Sequence, residues 1–128
     1  MPPYIMVILD HNGNIVEFES TLEPFCHNPK EVIGKNWFDI FIDPNDREKI
    51  FNVFLEILKG NDKAYQTYKN DIYCKDGTHR LIDFYNRLVT KNGKKYTFSF
   101  GVEHMYVDFS ENLKKYGEEK FQESFLSK

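Results

Sequence analysis

The side chains that most often carry chemistry are few and dispersed in this sequence. Cys26 and Cys74 stand 48 positions apart, with no CxxC spacing. Lone thiols of this kind are expected to be reduced and half-buried rather than bridged or metal-bound. His11, His27, His79 and His104 show no spacing that would build a metal site on one helix or strand, so none is expected. His27 and His79 fall at predicted element ends, where a solvent-facing role is the default. A Gly-x-Ser-x-Gly turn and a phosphate-cradling glycine loop are both absent from the sequence. Acidic residues sit mostly at turns, caps and solvent faces, and we expect no catalytic activity.

A polar residue among apolar ones is more informative. Along Arg80–Val89, Ile82, Phe84, Asn86 and Leu88 share one strand face, and Leu81, Asp83, Tyr85, Arg87 and Val89 the other. An amide buried beside Phe84 must find hydrogen-bond partners, either backbone groups or a bound small molecule. The next predicted strand poses a related choice, with Tyr96, Phe98, Phe100 and Val102 on one face and Thr97, Ser99 and Gly101 on the other. Small residues facing the helices would leave room for a cavity, and the aromatics would then need cover from outside. Aromatics facing inward would fill the core instead.

These residues are positioned by elements that turn chemistry delimits. Asn12-Gly13, Asp76-Gly77 and Asn92-Gly93 are hairpin signals, because both positions of a two-residue turn favour positive φ. They divide off five strands: Tyr4–Leu9, Ile15–Phe18, Tyr65–Cys74, Arg80–Val89 and Tyr96–Val102. Between the second and third the pattern turns helical. Asn28–Ile33 and Trp37–Phe41 read as short turns separated by Gly34. Asp43-Pro44-Asn45-Asp46 then reads as an N-cap, an N1 proline and an acidic first turn. Ile50, Phe51, Phe54, Ile57 and Leu58 follow at helical spacing, closed by Gly60. The fold class is α+β: a five-stranded antiparallel sheet with short helices and one longer helix on one face.

From Asp108 onward the sequence is charged, with Phe109, Leu113, Tyr116, Phe121 and Phe125 marking an amphipathic helix whose stripe slips at Gly117. We expect residues 1–106 to form one domain and 107–128 a C-terminal linker or signalling helix. Ending in helix-like sequence, the chain is expected to be a piece of a longer protein. A net charge of −3 with scattered lysines excludes a basic stripe for nucleic acid. The longest apolar run, Ile5–Leu9, is far too short to span a membrane. A cytoplasmic protein without direct membrane contact is expected. The 16% aromatic content suggests bulky packing, a lined cavity or an adhesive interface.

The run Glu31-Val32-Ile33-Gly34-Lys35-Asn36-Trp37-Phe38-Asp39 followed by Pro44-x-Asp46-Arg47 resembles bacterial and archaeal PAS domains. Lys75-Asp76-Gly77 before a strand, Leu81-Ile82-x-Phe84-x-Asn86 within it, and Gly93 at the next hairpin extend the resemblance over about residues 5–105. Two departures stand out. Glu103-His104-Met105 replaces the Asp-Ile-Thr that often opens the signalling helix, and Glu19–His27 is about one residue short and carries Pro24.

The resemblance implies a sensor module attached to a histidine kinase, a cyclic-dinucleotide enzyme or a transcription regulator, as part of a two-component or related system. In the light-sensing LOV branch a cysteine follows shortly after Gly-x-Asn, whereas Trp37 follows Gly34-Lys35-Asn36 here, so no flavin adduct is expected. Haem-binding relatives ligate iron from the long helix, and Asp46–Lys59 contains no histidine. A small organic ligand is expected instead, contacting Trp37, Phe38, Phe41, Phe54, Ile57, Phe84, Asn86 and Ser99. Tyr96, Phe98, Phe100 and Leu113 are expected to form a homodimer interface, with an output domain as the other partner. The alternative is a ligand-free dimerisation module with a packed interior.

Overall fold

The computed structural model describes residues 2–22, 27–74 and 76–126. Expectations for Pro24, Cys26 and Lys75 fall outside them. The strands are β1 (Tyr4–Leu9), β2 (Ile15–Ser20), β3 (Thr67–Tyr73), β4 (His79–Lys91) and β5 (Lys94–Glu103). They form one sheet in the order β2-β1-β5-β4-β3, every neighbour antiparallel. The first and last strands therefore lie side by side at its centre, Val7 opposite Ser99.

That central position explains the uninterrupted apolar run of β1. Ile5, Val7 and Leu9 pack beneath the helices, whereas Met6 and Ile8 join a second core on the opposite face. A strand covered on both faces has no reason to alternate apolar and polar residues.

The turns differ in kind. Asn92 and Gly93 have φ of 54° and 76° and Lys91 pairs with Lys94, a true two-residue hairpin. Asn12-Gly13 belongs to a longer loop. Only Gly13 is left-handed there, at φ 84°, and its N–H donates to the Asp10 carbonyl at 3.0 Å. The Asp10 carboxylate accepts from the N–H groups of Asn12 and Asn14. This aspartate builds the turn from its own side chain, so the two-residue expectation is corrected here.

The helical segment comprises α1 (Pro29–Val32), α2 (Trp37–Phe41) and α3 (Arg47–Leu58), followed by a 3-10 turn at Asp62–Tyr65. Asn36 caps α2 by accepting from the Phe38 N–H, while its amide donates to the Asn12 carbonyl, tying α2 to the first loop. Asp43 does not begin α3 as expected. Its carboxylate and carbonyl accept from the Asn45 and Asp46 N–H groups in a separate turn, and the helix starts at Arg47. The Arg47 guanidinium donates to the carbonyls of Phe38, Asp39 and Ile42, closing the end of α2 and fixing its angle to α3.

After β5, α4 (Val107–Ser110) leads into α5 (Leu113–Phe121) and a wide π-type turn at Gln122–Leu126. This segment lies across the sheet face opposite α1–α3. Leu113 and Phe121 join Tyr85, Phe98, Phe100 and Val102 in the second core. Among the described residues, no helix is long and apolar enough to cross a membrane.

Candidate functional site

Strand parity places the small residues of β5 toward the helices. Thr97 and Ser99, with Phe84 and Asn86 of β4, form one wall of a cavity of about 50 Å³. Trp37 and Phe38 from α2, and Phe54 and Ile57 from α3, form the opposing wall. Half-buried Ile50 and Val53 on α3 and Tyr68 and Asn70 on β3 complete the side nearer solvent. Gly101 continues the row of small residues, but a Cβ there would lie 2.5 Å from Ile82 Cγ2 and 2.8 Å from Phe84 Cδ1. Those side chains close the cavity at that end.

Seven of the eight expected contact residues line this space. Phe41 does not. It is fully buried behind the lining, its ring stacked 5.5 Å from Phe18 and 4.5 Å from Trp37. Helical spacing put Phe41 beside Trp37 and Phe38 in sequence but did not say which ring would face the sheet. Sequence reading missed Thr97, legible from its parity with Ser99. It also missed Asn70 and Tyr68, whose strand register only the β3–β4 pairing reveals.

The polar wall is ordered by cross-strand bonding. Asn86 and Ser99 are direct partners on β4 and β5, and the Ser99 hydroxyl donates to Asn86 Oδ1 at 2.6 Å. Asn86 Nδ2 donates to the Tyr65 carbonyl at 3.1 Å, and its backbone N–H to Gln66. Backbone groups thus satisfy part of the buried amide, leaving one amide hydrogen over.

On the opposite face, neighbours of Asn86 hold α5. The Tyr85 hydroxyl donates to Glu118 Oε1 at 2.6 Å and Arg87 Nη1 to Glu118 Oε2 at 2.8 Å. Burial, then the hydrogen bond from the phenol to Glu118, raises the Tyr85 pKa well above its ordinary value. The Arg87 guanidinium also lies 4.0 Å from the centre of the Phe121 ring. Gly117 allows the helix to sit directly on Tyr85: a Cβ there would overlap the ring, 3.0 Å from Cγ. A second clasp joins Lys120 to Glu19 and to the Tyr4 hydroxyl. Burial alone would lower the Lys120 pKa, but its bonds to Glu19 and Tyr4 outweigh that and raise it.

Several expectations are corrected by this packing. Phe98 and Phe100 are fully buried and Leu113 is nearly so, covered by the chain's own C-terminal helix rather than lying free for a second subunit. Tyr96 is half-buried against Phe125. The amphipathic stripe that marks 109–125 as a helix matches this apolar face, so the chain covers itself. His27 is half-buried with its ring edge toward Phe41 at 4.8 Å, rather than solvent-facing. His79 lies between Asp43 and Asp71, 3.3 Å from each carboxylate. Cys74 is buried and disulfide-bonded, against the expectation of a reduced thiol, because separation along the chain carries no information about proximity after folding.

No family model matches the chain, and no curated protein does. Solved structures do. A PAS domain from Desulfitobacterium hafniense is 13% identical, with a TM-score of 0.63 over 77% of this chain and 91% of that one. The PAS-B domain of Drosophila melanogaster Cycle, with bound ethylene glycol, is 12% identical, with a TM-score of 0.56 over 77% and 98%. A PAS domain from a two-component sensor histidine kinase is 12% identical, with a TM-score of 0.51 over 78% and 84%. The chain adopts the PAS fold.

Proposed function

We propose that this chain is a sensory and relay module in which the state of the small cavity is passed through β4 and β5 to helix α5. One observation carries the reading: three consecutive residues of β4 serve both faces of the sheet. Asn86 lines the cavity, and Tyr85 and Arg87 on either side of it both hold Glu118 of α5. A shift of β4 that re-pairs Asn86 with Ser99 changes the angle at which its neighbours meet the helix. A small molecule acts on such a device through its differential affinity for the two arrangements. The ethylene glycol in Cycle PAS-B and the histidine kinase origin of another neighbour support this reading by analogy.

By the same reading, α5 leads toward an output domain in a longer signalling protein: a histidine kinase, a cyclic-dinucleotide enzyme or a regulator. Release of α5 would bare Phe98 and Phe100, an apolar surface suited to a second copy of the chain. A second reading, a ligand-free dimerisation and interaction module, is favoured by the cavity volume of about 50 Å³. Ordinary organic-ligand pockets are about 300–1,000 Å³.

A double-mutant cycle tests the relay. Ser99→Ala alters the cavity side of the β4–β5 pair and Glu118→Gln the helix side. The expected result is an interaction free energy above about 0.5 kcal/mol in the protection of α5 from amide hydrogen exchange. Simple additivity would remove the coupling on which the relay rests.

A further inference from the structure

The chemistry of the cavity wall narrows the input further, resting on the reading of that cavity as the input site. Among the described residues, no charged side chain lines it. A carboxylate or ammonium placed there would lose its hydration without a counter-charge, a penalty of several kcal/mol per ion in protein interiors. Neutral hydrogen-bonding capacity, by contrast, is left over. The Thr97 hydroxyl belongs to a cavity-lining residue only 2% exposed. The Ser99 oxygen gives its hydrogen to Asn86 and keeps its lone pairs. Asn86, 7% exposed, uses one amide hydrogen on Tyr65 and keeps the other. Donor and acceptor capacity therefore lie together on one wall, with Phe54 and Ile57 on the other.

Size sets the second limit. One water occupies about 10–15 Å³ of such a cavity, so 50 Å³ holds a few water-sized groups. This is room for a molecule of about three to five non-hydrogen atoms. We propose that the cavity takes a small uncharged hydroxyl or carbonyl compound (a short alcohol, diol or primary amide) with its polar end at Thr97, Ser99 and Asn86. Its apolar end meets α3. Larger planar cofactors do not fit unless α2 and α3 move away from the sheet.

Titration of the isotope-labelled full chain with ethylene glycol, 1-propanol and acetamide, each against acetate and ethylammonium, tests this by amide NMR shifts. The neutral compounds are expected to give saturable shifts at Thr97, Ser99 and Asn86, and the ions shifts at least about tenfold weaker. Thr97→Val keeps the shape but removes the hydroxyl, and should weaken binding by about three- to tenfold. Ser99→Ala provides the same test should the valine variant fold poorly. Ions that bind as well as the alcohols overturn the proposal, as do shifts that never saturate, or binding indifferent to both substitutions. The α5 signals separate the two readings. Saturable binding with Glu118 and Phe121 unmoved would sink the relay and leave the ligand class standing. Coupling in the double-mutant cycle without binding of any neutral probe would do the reverse.

Discussion

Replacing Gly117 by alanine isolates the contact between the sheet and its C-terminal helix. The glycine is inside α5 and has ordinary helical backbone angles, so no turn requires it. An alanine Cβ would instead overlap the Tyr85 ring, 3.0 Å from Cγ and 3.2 Å from Cβ. Tyr85 has little freedom to yield: it is buried, and its hydroxyl is fixed to Glu118, the residue next to Gly117 in the helix. Overpacking of this kind costs about 1–3 kcal/mol. Alanine also favours the helix by about 1 kcal/mol relative to glycine, but that gain applies whether α5 is docked or merely helical in solvent. The docking equilibrium should therefore weaken by about 1–3 kcal/mol, roughly fivefold to a hundredfold or more. Global stability, which includes the propensity gain, should fall by only about 0–2 kcal/mol. Amide hydrogen exchange resolves the two quantities: α5 and its neighbours on the outer face should exchange faster while the α3 amides stay protected. If α5 protection stays the same or rises in Gly117→Ala, the argument that this glycine is a docking surface is wrong.

Alkaline pH should release the same helix. The Tyr85 and Tyr4 phenols are both raised, by burial first and then by their bonds to Glu118 and Glu19, and Lys120 is raised by Glu19 and Tyr4 despite its burial. Folded-state values above the unfolded ones mean that the stabilisation is fully present below about pH 10 and is lost as pH rises beyond it. Tyrosinate absorbance followed together with helix content should show these two phenols ionising late, with loss of α5; eight tyrosines titrating normally and unchanged stability would contradict it. The disulfide at Cys74 makes a chemical prediction: alkylation of unfolded protein should label no thiol until a reductant is added. Immediate labelling of both cysteines would show that the bond is not held in solution.

The sequence alone determined the architecture, because its signals were local. Asn92-Gly93 permits the tight turn that makes β4 and β5 neighbours, and period two along Arg80–Val89 placed Asn86 with Ile82 and Phe84. The resemblance around Trp37 and Arg47 extended that reading over most of the chain. Local signals also erred locally. Asp43 has the chemistry of a helix cap, but satisfies a preceding turn instead, because Arg47 must reach back to the α2 carbonyls. What only tertiary structure decided was which surfaces meet. The aromatics of β5 and the stripe of α5 were each visible as apolar faces seeking cover, and nothing along the chain said they would cover each other. Burial is a property of pairs of surfaces, whereas periodicity describes one surface at a time. The same reason separates Phe41 from the cavity, sets its volume at about 50 Å³, and turns a glycine that interrupts a helical stripe into the place where Tyr85 fits.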